Sequence, residues 1–265
     1  MYIIMSKRGL IKPIIVVGIL ILILVSAFVF IQQTFEEKGI VKSTSSASSA
    51  LSASTTLEYP SEIIMVQKQI ERCLERSASA GIFLMGVQGG YIYKASGPTL
   101  ETGHAVISFG MIDGKNKLPS KSHMEDELAS YVDGNFASCI DNFSIFRRRG
   151  YGFSHEKAIS RADIEDDVIT VFLDFPVTIN HEGIIYGLEN FVVVMPIRLG
   201  MIIDTANDII DESEDIGVEG LGFDFFSGFD PYVTLLPVED ATIVALHDES
   251  SGVDGEEFEF LFAIQ

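Results

Sequence analysis

The sequence is poor in the residues that build catalytic centres. It holds two cysteines and five histidines. No two histidines stand at the spacing of a helical metal-ligand pair, so a zinc-hydrolase helix is excluded. No Gly-x-Ser-x-Gly elbow is present. The glycines at 86, 89 and 90 lack both the Lys-Ser/Thr of a phosphate loop and the spacing of a dinucleotide fingerprint, and they read as a turn. No catalytic residue, cofactor site or metal site is assigned.

Positive charge is scarce as well. The net charge is −20, and residues 162–265 carry 24 acids against the single base Arg198, while residues 40–161 balance 12 acids with 13 bases. A basic face, which nucleic acid or an anionic lipid surface requires, is therefore not expected. The acidic half reads as a solvated surface, with a face for cations or a basic partner as the sharper alternative and internal pairing with Arg147, Arg148, Arg149, Lys157 and Arg161 as the third. Residues 248–257 are acidic and turn-rich but miss the EF-hand register. Arg198 stands alone among acids where a strand gives way to a helix, and reads as a structural ion pair at that junction.

Long apolar runs are limited to one. Residues 13–31 form an uncharged, nearly all-aliphatic stretch preceded by Lys7, Arg8 and Lys12, long enough to cross a bilayer as one helix. Basic residues before the run and balanced charge after it place the N-terminus in the cytoplasm and the rest outside. The expected organisation is a basic tail (1–12), a retained transmembrane anchor (13–33), a flexible Ser/Thr-rich stalk (34–57) and an extracytoplasmic domain (58–265). A stalk follows because a Ser/Ala/Thr tract buries too little apolar surface to offset its ordering entropy. Outside the membrane, a lone cysteine pair defaults to a Cys73–Cys139 disulfide, the alternative being two buried thiols. Asn142-Phe143-Ser144 is an N-glycosylation sequon.

The domain has mixed periodicity. Ser61 caps a helix whose apolar face holds Ile63, Val66, Ile70 and Cys73 and which stops at Gly81, followed by a Gly turn and a strand over 82–93. A second helix starts at a Ser122–Glu125 capping box, with Met124, Leu128, Tyr131, Asn135 and Cys139 as its stripe. Alternation predicts long strands over 168–179 and 184–199, joined at 180–183, with Pro176 and Pro196 at edges or strand ends. A third helix covers 200–211. The Phe/Gly-rich stretch 216–230 supplies core plugs or an exposed contact loop. Three more strands lie at 232–236, 242–246 and 257–264. The expected fold is α+β: one antiparallel sheet of about five to seven strands packed by two or three helices.

Lys7-Arg8-Gly9 before the aliphatic run, Ile70-Glu71-Arg72-Cys73-Leu74, the stretch from Gly86 to Tyr93, Asp174-Phe175-Pro176-Val177, Pro196-Ile197-Arg198-Leu199-Gly200 and Phe260-Leu261-Phe262-Ala263 together resemble uncharacterised single-pass surface proteins of small-genome archaea. The resemblance implies an extracytoplasmic surface protein and brings no activity or site residue with it. The N-terminus is also similar to an archaeal prepilin, with a basic residue and Gly9 before the apolar helix, although Lys12 follows the cleavage point. The leading functional expectation is a membrane-anchored binding or adhesion module without catalytic activity, with a protein or glycan partner on the cell surface and no nucleic acid. A pilin-like filament subunit comes second and an extracytoplasmic enzyme third.

Overall fold

The computed structural model describes residues 60–265, except 94, 96, 104, 215, 239 and 254. The tail, anchor and stalk expected over 1–57 lie outside the described residues. Among the described residues, no helix is long and apolar enough to cross a membrane.

Helix α1 (Ser61–Val87) buries Ile63, Val66, Ile70, Cys73 and Leu74, as the 3.6-residue spacing predicts. It does not stop at Gly81. A Cβ there would sit 2.7 Å from Leu128 Cδ1, so this glycine serves close helix packing. The helix runs on through 82–87 and ends before Gly89 and Gly90, both at positive φ, and 91–93 form no strand. Helix α2 (Lys121–Ile140) is capped by Ser120, whose Oγ accepts from His123 N at 3.2 Å, and not by a box at Ser122. Its buried stripe is Met124, Leu128, Val132, Phe136 and Ile140. Asn135 is exposed and Cys139 sits at the stripe's edge.

Glu125, freed from capping, accepts from Ile164 N at 3.0 Å, and Asp133 accepts from Ser160 N at 2.7 Å. Helix α2 is thereby sewn to the strand that holds Ser160 and Ile164. Gly81 lies against Leu128, Gly90 against Met124, and Cys73 is bonded to Cys139 with Cα atoms 5.6 Å apart. These three contacts run in opposite sequence directions, so α1 and α2 are antiparallel.

The strands form two sheets rather than one. The first has the order β1 (Thr99–Glu101), β2 (Val106–Ile112), β10 (Glu256–Ile264), β9 (Ala241–Val253), β8 (Tyr232–Val238), with β3 (Lys115–Asn116) also on β2. Its β2–β10 pair is parallel, unlike the expected all-antiparallel sheet. Phe258, Phe260, Phe262 and Ile264 all face the core. A Cβ on Gly86 would meet Glu259 O at 2.3 Å, so the C-terminal part of α1 rests directly on β10.

In the second sheet, β6 (Ile169–His181) pairs along one edge with β7 (Ile184–Met195). It also pairs with β4 (Gly152–His155) and β5 (Ile159–Ile164) at successive stretches. Pro176 lies inside this central strand, contrary to the edge or end position expected. It falls where the β6–β7 register shifts, between Asp174 and Val177, and where β4 gives way to β5. A missing ladder donor costs nothing at such a break.

Short α3 (Ser144–Arg147), α4 (Leu199–Ser213) and the single turn α5 (Phe223–Phe226) complete the order. Ile202, Ile203, Ala206, Ile209 and Ile210 of α4 are all buried, as expected. Phe225 meets Phe226 and Phe229 edge-on at 5.4 and 5.1 Å, and all three pack, partly buried, against the core, which supports the plug reading of that stretch. One core joins α1, α2, α4 and the inner faces of both sheets.

Candidate functional site

The densest polar construction surrounds Arg198. This residue follows Pro196 and Ile197 at the end of β7 and stands at the N-cap of α4. Its backbone N donates to Ser251 Oγ at 3.0 Å and its Nε donates to Asp248 Oδ2 at 3.0 Å. Nη2 donates to the other Asp248 oxygen and Nη1 to Asp230 Oδ2. Ser251 Oγ also donates to Asp248 Oδ2, and Ser250 N to Asp248 Oδ1 at 3.1 Å. The β9–β10 register shifts at Glu257/Phe258, and the resulting bulge in β9 brings Ser250 and Ser251 back onto Asp248.

Asp248 is 0% exposed. Burial alone pushes its carboxyl upward, but the Arg198 guanidinium, the Ser251 hydroxyl and the Ser250 N–H together hold it below the usual carboxylate range. Arg198 is raised above its ordinary value, first by its hydrogen bond to Asp248, with burial opposing. Both groups are charged at neutral pH. The guanidinium fork is spent on Asp248, which removes Arg198 as a receptor for a substrate carboxylate. It is the ion pair the sequence suggested, clamping three segments: the β7–α4 junction, β9 and the loop carrying Asp230. The partner Asp248 was not legible, because it lies in a stretch that reads as surface turn.

The same hairpin shapes an acidic concavity of about 460 Å³ lined by Glu249, Glu256, Glu257 and Ser250. Among the described residues, no three of His, Cys, Asp or Glu converge as a metal-ligand set. The histidines are dispersed: His123 lies 3.4 Å from Glu127, His181 stacks on Tyr151 at 3.9 Å, and His247 stacks on Tyr232 at 4.4 Å. Asn142 is exposed with φ 48°, between Asp141 and Phe143, which also have positive φ. Its Oδ1 accepts from Arg147 Nη2 at 3.0 Å.

The outward face of the second sheet is different in kind. Registry aligns Arg161, Phe172 and Val192 in one cross-strand row and Asp163, Thr170 and Val194 in the next. Arg161 lies 4.1 Å over the Phe172 ring. Ile159, Val192 and Val194 are exposed. A shallow cavity of about 250 Å³ opens on this face, with Asp174 and Asn190 in its polar lining. Among the described residues, no strand pairs the outer edge of β7. Sequence alternation alone could not reveal this face, since it shows which residues point away from the core and not whether anything covers them.

No family model matches the chain, and no curated protein or solved structure is found to be similar to it.

Proposed function

We propose that this protein is a single-pass membrane protein whose domain, held outside the membrane on a Ser-rich stalk, binds or adheres to a protein or glycan at the cell surface. The uncovered face of the second sheet carries the reading. Its exposed Ile159, Val192 and Val194, the stacked Arg161–Phe172 pair and the unpaired β7 edge make an apolar surface with a polar rim. Soluble domains cover such surfaces unless they are used. The Cys73–Cys139 disulfide supports an oxidising compartment. The aliphatic run over 13–31 after Lys7, Arg8 and Lys12 supports an anchor with its N-terminus in the cytoplasm.

The test uses full-length protein in vesicles presented to intact cells of the source. Vesicles bearing the wild type should be retained above protein-free vesicles, and Val192→Lys/Val194→Lys should abolish the difference. Equal retention of the variant would dismiss this face, and no retention of the wild type would dismiss the module. The intact N-terminal mass separates the proposal from a filament subunit, which requires cleavage near Gly9.

A further inference from the structure

Helix α2 ends opposite Cys73 in the middle of α1, and beyond it the chain runs on toward the start of α1 and builds a basic end. After α2, three successive residues, Asp141, Asn142 and Phe143, adopt φ of 45–57°. Left-handed backbone at three non-glycine positions is held only by its surroundings. Phe143 is buried and stacks on Phe153 at 4.4 Å. Arg147 donates from Nε to Asn142 O at 2.8 Å and from Nη2 to Phe153 O at 3.0 Å. The turn so fixed presents Arg147, Arg148 and Arg149, all exposed and, among the described residues, in no ion pair.

Tyr151 locates this turn in the fold. It stacks on His181, and the neighbouring Gly152 pairs with Asn180; burial first raises its phenol, nearby Glu62 raises it further and Arg149 opposes. The first turn of α1, the arginine turn and the β6–β7 turn therefore form one end of the domain. Ile184 and Ile185, 56% and 69% exposed, project beside it, as does Ile145.

We propose that this end docks on the anionic surface of the bilayer in which the chain is itself anchored, an inference that rests on the anchor reading above. The chain enters α1 here, so the sequence joins this end of the domain to the stalk and anchor expected over 13–57. A tether makes docking intramolecular and raises its effective concentration. Guanidinium groups pair with lipid phosphates in bidentate fashion, and isoleucines beside them enter the acyl boundary. Glu62, Asp141 and Glu182 border the arginines and weaken the attraction. The larger acidic excess belongs to residues beyond 162, much of it in β8–β10, their turns and α4. The first sheet rests on the C-terminal part of α1, a helix about 40 Å long. Repulsion of that acidic part from the bilayer turns the arginine end toward it.

The chain has no tryptophan, so Ile184→Trp is a unique reporter. Full-length I184W, with Asn142 shown unmodified by intact mass, is reconstituted in phosphatidylglycerol/phosphatidylcholine vesicles with brominated acyl chains. We expect it to float with the vesicles, with blue-shifted emission largely lost to bromine quenching. Leu236→Trp, exposed on β8, should keep its emission. Adding Arg148→Glu/Arg149→Glu to I184W should restore it. Floating I184W protein with unquenched emission overturns docking while leaving the anchor intact. A blue shift without bromine quenching overturns it in favour of a covering protein, such as a second copy. Protein that does not float overturns the anchor, and docking with it.

Discussion

Arg198 and the Arg147–Arg149 turn put the same side chain to opposite uses. Arg198 is surrounded: two hydrogen bonds reach a carboxylate with no solvent contact, and a third reaches Asp230. In the turn, Arg147 donates to backbone and amide oxygens and lies over the Phe153 ring, and Arg148 and Arg149 are exposed. Sequence context shows only part of this. The isolated arginine in an acidic half reads as a structural ion pair, and the run of three reads as internal partners for the acidic excess. The difference teaches that a charge's role is fixed by what the fold removes from water around it. A buried pair is costly to break, whereas an exposed charge contributes little to stability and is available to a partner.

The comparison breaks most visibly at Arg198. Arg198→Ala should destabilise the protein by about 3–5 kcal/mol in urea unfolding, because Asp248 is left buried and uncompensated. A loss below about 1 kcal/mol would mean that Asp248 reaches water. The pH dependence sharpens the point. The folded Asp248 carboxyl is held below its unfolded value, so its contribution is present above the ordinary carboxylate range, about pH 4, and is lost as pH falls through the lower folded value. Asp248→Asn should remove that part of the acid slope in stability measured from about pH 5 to about pH 2, a window set by those carboxylate values.

The disulfide comes next. It closes a span of 66 residues, and Cys73→Ala/Cys139→Ala should cost about 4 kcal/mol in the chain-entropy model, read from the shift in urea midpoint. Because the bond joins α1 to the end of α2 that leads into the arginine turn, the variant should also loosen that turn, seen as faster amide exchange at 141–150. Arg148→Ser/Arg149→Ser should change stability by no more than about 0.5 kcal/mol. A larger loss would place these arginines in the fold and out of reach of a partner. The smallest expected effect is that of calcium. Thermal melts in CaCl₂ and NaCl at matched ionic strength should coincide, since screening alone acts on the dispersed carboxylates. A calcium-specific stabilisation would move the Glu249–Glu257 concavity from surface to site.

Much of the fold is legible in the sequence. The buried faces of α1, α4, β6 and β10 follow from period alone, and the turn that composition predicts within 180–183 does join two long strands. The failures share a cause. Gly81 and Gly86 read as a helix stop and a turn but are places where a neighbour comes too close for a Cβ, which propensity does not register. Ser122 lost the cap to Ser120, two residues earlier, and Glu125 turned to Ile164 instead. Asp248 reads as part of a polar turn until the bulge in β9 folds two serines over it. At the candidate site, the sequence pointed to Arg198 and to a pair but not to the pair's burial. Nothing in it signals the bare outward face of the second sheet.

The sequence alone determined the α+β class, the main helices and strands, the cysteines' inward approach and the division into an apolar run, a Ser-rich tract and an acidic domain. Each of these depends on local periodicity or composition. The tertiary structure alone decided that the strands divide into two sheets and that one strand pair is parallel. It also put Arg198 against a desolvated carboxylate and three arginines beside the start of α1. Those outcomes depend on which residues distant in sequence exclude water from one another, and no local pattern encodes that.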